Sequence, residues 1–186
     1  MEKKLHPGDF LIADPSILGD VSFHRAVVLI CSIEDKSPMG FIFNKAYEFS
    51  LNEMVPEVSY DFPLFYGGPV ATDQLFFVYN AREAIIGDSY LIQENLYLGG
   101  DIEQAFEAIH NKSLHPGNAR FFLGYSGWSK GQLEQEIELN NWLIQKNNIE
   151  KKLFSYSPED LWRNAMIKKG GKYILWANAP DNPAYN

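Results

Sequence analysis

A chain of 186 residues, 46 % apolar and 15 % aromatic, can fill one core but is short for two ordinary domains, which excludes a disordered polypeptide and favours a single domain over 1–186. Its 24 acids against 16 bases give a net charge of −8, the wrong sign for unaided binding along nucleic-acid phosphates, and Lys3-Lys4, Lys151-Lys152 and Lys168-Lys169 read as solvated faces. With Cys31 the only cysteine, an intrachain disulfide and a thiolate metal cluster are excluded, and a reducing compartment is expected.

The opening Met-Glu-Lys-Lys is followed by His6, Pro7, Gly8, Asp9 and Asp14 where a signal peptide needs an unbroken apolar stretch, so the expected location is the cytoplasm. The longest apolar run, Ala26 to Cys31, has a strand's length, far below the roughly 20 residues of a membrane helix.

Phe10 to Ala13 and Arg25 to Ser32 are Val-, Ile- and Leu-rich and read as buried strands around a loop that starts at Asp14-Pro15-Ser16. The second run breaks at Glu34 to Pro38 and resumes at Met39 to Phe43, so 25–44 reads as a β-hairpin with an acidic tip. Ser50 and Glu53 have capping-box spacing for a short helix over 51–55. Pro56 and Pro63 bracket a loop, Tyr66-Gly67-Gly68-Pro69 is a tight turn, and strands are expected at 74–79, 90–93 and 95–98. Asp101 caps a helix with Ile102, Ala105, Phe106 and Ile109 on one face. His115 to Asn118 is a turn, and Ala119 to Leu123 is a strand.

That strand runs into the most distinctive segment, Gly124 to Leu143. Ser129 and Gln132 have capping-box spacing, which starts a helix near Lys130 with Trp128 packed back on it as a staple. At 100° per residue, Leu133, Ile137 and Ile144 share one face, Leu139 and Leu143 widen it, and Gln132 and Glu136 border it. Trp142 then projects away from Leu133, either packed under the C-terminal segment or exposed as the anchor of a partner interface. Ser157-Pro158-Glu159-Asp160 starts a helix over 158–168, Gly170-Gly171 ends it, Tyr173 to Trp176 is a last strand, and 179–186 is a loosely held tail. Hairpins and helices without a regular strand-helix alternation give an α+β class.

No catalytic constellation assembles. Gly124-Tyr125-Ser126-Gly127-Trp128 lacks the second glycine of a nucleophile elbow. Cys31 ends an apolar strand, where an inert thiol is expected. His110 and His115 are five apart across a turn, and His6, His24, His110 and His115 include no zinc spacing. The glycine doublets match no phosphate-binding motif, so no metal and no cofactor is expected. Arg25, Asn44, Asp73, Gln132 and Glu136 remain as groups that could line a pocket, each with an architectural alternative.

The chain resembles the AlgH/YqgE family of small bacterial proteins over about Gly8 to Asn178. The residues that carry the resemblance are Gly8 to Pro15, Phe23 to Val28, Met39 to Lys45, Gly67-Gly68-Pro69-Val70, Gly124-Tyr125-Ser126-Gly127-Trp128 and Gly131-Gln132-Leu133-Glu134. It implies one α+β domain whose bent, mixed or antiparallel sheet forms a partly closed pseudo-barrel with flanking helices. The family is usually labelled transcriptional regulators and has no established activity, so no catalytic residue carries over. Ala46 stands where relatives tend to have proline, and Tyr79 where they tend to have histidine.

The resulting expectation is a non-enzymatic regulatory or protein-interaction role, with an unknown protein partner and Trp142 as the interface. The alternative is a small-ligand binder or enzyme with a cleft near Asn44, Gly67 to Pro69 and Gln132/Glu136. Direct DNA binding is disfavoured. The candidate site residues are Arg25, Asn44, Gly67, Gly68, Pro69, Gly124, Tyr125, Gly127, Trp128, Gln132 and Glu136.

Overall fold

In the computed structural model, residues 4–17, 20–35, 37–58, 60–81, 85–146 and 150–180 are described. In chain order they form β1 (Phe10–Ala13), β2 (Val27–Glu34), β3 (Ser37–Ile42), β4 (Ala46–Ser50), α1 (Leu51–Met54), β5 (Pro63–Tyr66), β6 (Val70–Asn80), β7 (Tyr90–Gln93), β8 (Leu96–Leu98) and α2 (Ile102–His110). There follow β9 (Ala119–Gly127), α3 (Gln132–Glu138), β10 (Trp142–Gln145), a 3₁₀ turn at Glu150–Ser155, α4 (Pro158–Lys169) and α5 (Tyr173–Asn178).

The strands make one mixed sheet in the order β10-β1-β2-β3-β9-β6-β8-β7, with β5 joining β4 to β9. Its pairings are antiparallel except β5 with β9. The long apolar β9 is the hub: Gly127 and Ser126 pair with β3, Phe121 to Leu123 with β5, and Ala119 to Tyr125 with β6. The class is α+β with a largely antiparallel mixed sheet, as expected, and the sheet is not closed into a barrel.

Strand periodicity sorts the core. Phe10, Ile12, Val27, Leu29 and Cys31 face one side with Trp162 and Met166 of α4. Their neighbours Leu11, Ala13, Val28 and Ile30 face the other side with Trp128, Leu133 and Trp142. Side chains alternate across a pleated strand, so β1 and β2 from Val27 to Cys31 are covered on both faces and read as unbroken apolar runs. Beyond β9, α1 and α2 bury Leu51, Ala105 and Ile109 against Leu64, Phe77, Tyr79 and Phe121.

Two of the local start signals hold in full, while Ser157 makes no side-chain bond to the first amides of α4. Glu53 accepts from both the amide and the hydroxyl of Ser50, and Asp101 accepts from the amides of Glu103 and Gln104. Tyr79 is core architecture: its hydroxyl accepts from the Ile86 amide at 2.8 Å and shares a hydrogen bond with Ser89 at 2.8 Å.

Two expectations fail. The helix of the distinctive segment starts at Gln132, after Gly131 at φ 82°, and ends at Glu138. Asn140 at φ 61° then reverses the chain, and Trp142 to Gln145 pair antiparallel with Ala13 to Phe10. β1 offers a full edge of backbone donors and acceptors, which an aromatic and β-branched run satisfies better than one more helical turn. Leu139 is accordingly 72 % exposed, outside the stripe assigned to it. Likewise Tyr173 to Trp176 is helical, not a strand: Gly170 at φ 75° and Gly171 at φ 57° turn the chain back along α4, and the Tyr173 hydroxyl donates to Asp14 at 3.2 Å. Of the tail expected to be loose, the carbonyls of Ala179 and Pro180 are held by Arg25; 181–186 lies outside the described residues, as do Lys3 and the side chains of Lys151 and Lys152.

Candidate functional site

The residues singled out in the sequence fall into three places. The first is an aromatic seal on one face of the sheet. The indole N–H groups of Trp128 and Trp142 both donate to Glu136 Oε2, at 2.9 and 2.7 Å, while Gln132 Nε2 donates to Glu136 Oε1 at 3.0 Å. Phe23 stacks on Trp128 at 5.9 Å and meets Trp142 edge-on at 5.3 Å. Buried indoles need an acceptor, and a carboxylate accepts strongly from both. Trp142 is 1 % exposed, so it is not an interface residue: strand pairing to β1 turns its ring inward, beneath Phe23 rather than beneath the C-terminal segment.

The second is the crossing of the β5–β6 connection over β9. A Cβ at Gly67 would lie 2.1 Å from the Gly124 carbonyl oxygen, and one at Gly124, where φ is +70°, would lie 2.5 Å from that of Gly68. Only glycine permits this approach. Ser126, fully buried, donates to the Gly67 carbonyl at 3.0 Å, which removes it as a nucleophile. Tyr125 packs edge-on against Phe76 at 5.7 Å. Pro69 and Gly127 are exposed at the ends of this crossing. The Cys31 thiol is equally structural, buried with its pKa pushed far up by desolvation and directed at the Leu29 carbonyl at 3.7 Å.

The third is an open cleft. Asn44 clamps the chain before β2, accepting from the Val27 amide at 2.7 Å and donating to the Arg25 carbonyl at 2.9 Å. Lys45 donates to the carbonyls of Val21 and Ser22 at 3.0 and 2.9 Å, and Asp20 accepts from the amides of Ser22 and Phe23. Loop 20–25 is thereby wound into a turn that ends in Arg25 at φ 51°. It sends Phe23 into the aromatic seal and Arg25 over the ring of Trp162, 4.8 Å from its centroid.

Here a cleft of about 310 Å³ opens between loop 20–25, Asn44-Lys45 and α4, lined by His24, Arg25, Asn44, Lys45, Glu159 and Arg163. Arg25 Nη2 donates to the carbonyls of Ala179 and Pro180 at 2.8 and 3.1 Å. Arg163 donates through Nε to the Ala177 carbonyl at 3.2 Å and through Nη2 to Asn178 Oδ1 at 3.1 Å. Behind the wall, Arg120 lies between the rings of Phe43 and Phe65, 4.3 and 4.4 Å from their centroids, and donates to the carbonyls of Phe43 and Tyr156. Burial pushes its guanidinium below the ordinary arginine range, and the Glu159 carboxylate works against that shift. Glu159 is held below the usual carboxylate range chiefly by the Ser157 hydroxyl.

The cleft therefore unites Arg25 and Asn44 but not the rest of the expected pocket. Gly67 to Pro69, Asp73, Gln132 and Glu136 do not line it. Lys45, Glu159 and Arg163 were not among the candidate site residues; the i, i+4 spacing of Glu159 and Arg163 on a helix start is the one signal that places those two on a common face. Among the described residues no group of three or more His, Cys, Asp or Glu side chains could hold a metal ion, and no helix is long and apolar enough to cross a membrane.

A family model described as AlgH-like matches residues 10–174. The chain belongs to the AlgH-like family. A UPF0301 protein of Cytophaga hutchinsonii is 42 % identical over 98 % of this chain and 100 % of its own length, and one of Bacteroides fragilis is 39 % identical over 96 % and 90 %. Among solved structures, the AlgH protein of Pseudomonas aeruginosa superposes with a TM-score of 0.70 at 25 % identity, covering 96 % of this chain and 98 % of that one. Protein DIP2367 of Corynebacterium diphtheriae shares the fold, with a TM-score of 0.78 at 22 % identity over 96 % and 95 % of the two chains.

Proposed function

We propose that this AlgH-like protein is a non-enzymatic, regulatory binding protein whose ligand is a small oxyanion, a phosphate or carboxylate, held in the Arg25/Lys45/Arg163 cleft. The observation that carries this reading is the charge of the cleft. In a chain of net charge −8, Arg25, Lys45 and Arg163 converge with His24 on a wall that contributes one carboxylate, Glu159. Both arginines already hold oxygen atoms, the carbonyls at the end of α5. An oxyanion would take the same donors in charge-assisted bonds that are stronger than those to carbonyls. A cytoplasmic setting belongs to the same reading, supported by the single buried Cys31.

The test is a titration of the full chain with inorganic phosphate and with succinate by calorimetry at low salt. Saturable binding is expected, and Arg163→Gln should weaken it by roughly tenfold, the usual scale for one charged hydrogen bond. Binding that Arg163→Gln and Lys45→Gln both leave unchanged would discard the site.

A second reading, contact with a protein partner, moves from Trp142 to α5, where Ile174, Leu175 and Trp176 are exposed, Leu175 by 76 %. The first partner to test is a second copy of the chain. Sedimentation velocity should show association that Leu175→Ser abolishes; a monomer at every concentration removes this reading.

A further inference from the structure

Helix α4 separates the cationic cleft from a second one on its opposite flank, of about 140 Å³. The helix offers the sheet two stripes of different size. Trp162 and Met166 fill the first and are buried. The second, Leu161, Ala165 and Lys168 at i, i+4 and i+7, has only a methyl group at its centre; Leu161 and Ala165 are half-buried and pack against the core. The inner wall of the cleft beside it is made of Phe10, Ile12 and Val27, each 3 % exposed, with the neutral polar Gln145, Tyr156 and Asn164 also in the lining. Among the described residues that line it, Lys168 is the only charged one, and it is exposed.

An apolar cavity of roughly 150 Å³ accommodates a benzene ring, and a lone cation above an apolar floor selects an anionic head group over a neutral one. We propose that this cleft binds a small monocarboxylate with an aromatic or short aliphatic body, the body against Phe10, Ile12 and Val27 and the carboxylate on Lys168. It is a separate site from the oxyanion cleft: the one is mostly apolar, with Gln145, Tyr156 and Asn164 as neutral polar groups and a single cation, the other polar with several cations.

The test titrates the full chain with benzoate, and with benzyl alcohol as its neutral counterpart, followed by methyl NMR. The expected result is saturable binding of benzoate with shifts at Ile12, Val27 and Ala165, at a dissociation constant below about 1 mM. Lys168→Gln should weaken benzoate about fivefold and leave benzyl alcohol unchanged. Ala165→Leu, which fills the gap, should abolish both while keeping or raising Tm. Should that variant fail to fold, the Lys168→Gln comparison still decides. Shifts confined to the Arg25 and Arg163 side overturn this site and leave the oxyanion reading standing. Absence of saturable binding, or benzoate affinity that neither variant alters, overturns the monocarboxylate site, whatever phosphate does in the other cleft.

Discussion

Two residues of loop 20–25, Phe23 and Arg25, face opposite fates. At one, Phe23 closes an aromatic seal in which both indole donors end on one carboxylate and nothing polar is left over. At the other, a few ångströms of backbone away, Arg25 stands in an open cleft where cations outnumber acids. The contrast teaches that the densest motif of a chain marks where the fold is hardest to build, whereas the charged groups that meet in the cleft are sparse in sequence and gathered from distant segments.

The sharpest way to break the comparison is Trp142→Ala. Removing a fully buried indole between Phe23 and Trp128 should cost about 4 kcal/mol, seen in urea unfolding. A loss below about 1 kcal/mol would mean that the seal is not structural. Next in size is Glu136→Ala, which strands two indole donors and should cost about 2 to 3 kcal/mol, with Glu136→Gln recovering part of it. If both variants unfold at the wild-type midpoint, the carboxylate has another purpose.

On the open side the signs reverse. Arg163→Gln should change stability by less than about 1 kcal/mol while weakening phosphate binding as stated above; comparable losses of stability on both sides would erase the distinction. Smallest of all, Cys31 should not react with a thiol reagent in the native protein, because burial holds it as the neutral thiol. Its labelling rate should track unfolding and rise in Trp142→Ala; rapid native labelling would open the core that both sides share.

Much of this molecule can be read locally. The Ser50–Glu53 box and the Asp101 cap depend on groups three residues apart, so their geometry is complete within one turn. β1 and the Val27 to Cys31 part of β2 announce themselves because they are buried on both faces, and a run with no polar position has few alternatives. Trp142 was misread for the converse reason. Leu139 to Ile144 fits a helical stripe by spacing alone, and only the unpaired edge of β1, 129 residues earlier at Ala13, makes it a strand. Tyr173 to Trp176 was misread similarly: a strand-like composition became a helix because the Gly170-Gly171 turn lays it against α4.

The cleft lies on the illegible side. Arg25 and Asn44 were visible as polar residues at strand ends, yet their meeting with Arg163 spans more than a hundred positions and every element from β4 to α4. What the sequence by itself determined is the class, the caps, the turns that only glycine can make and the strands apolar on both faces, since each is decided by interactions within a few residues or by burial that tolerates no polar substitute. Tertiary structure alone decided that Trp142 is core, that the last apolar run is helical, and that α4 stands between a cationic cleft and an apolar one. Those outcomes depend on which distant backbone edge or side chain arrives to satisfy a hydrogen bond or fill a volume, and no local preference encodes the arrival.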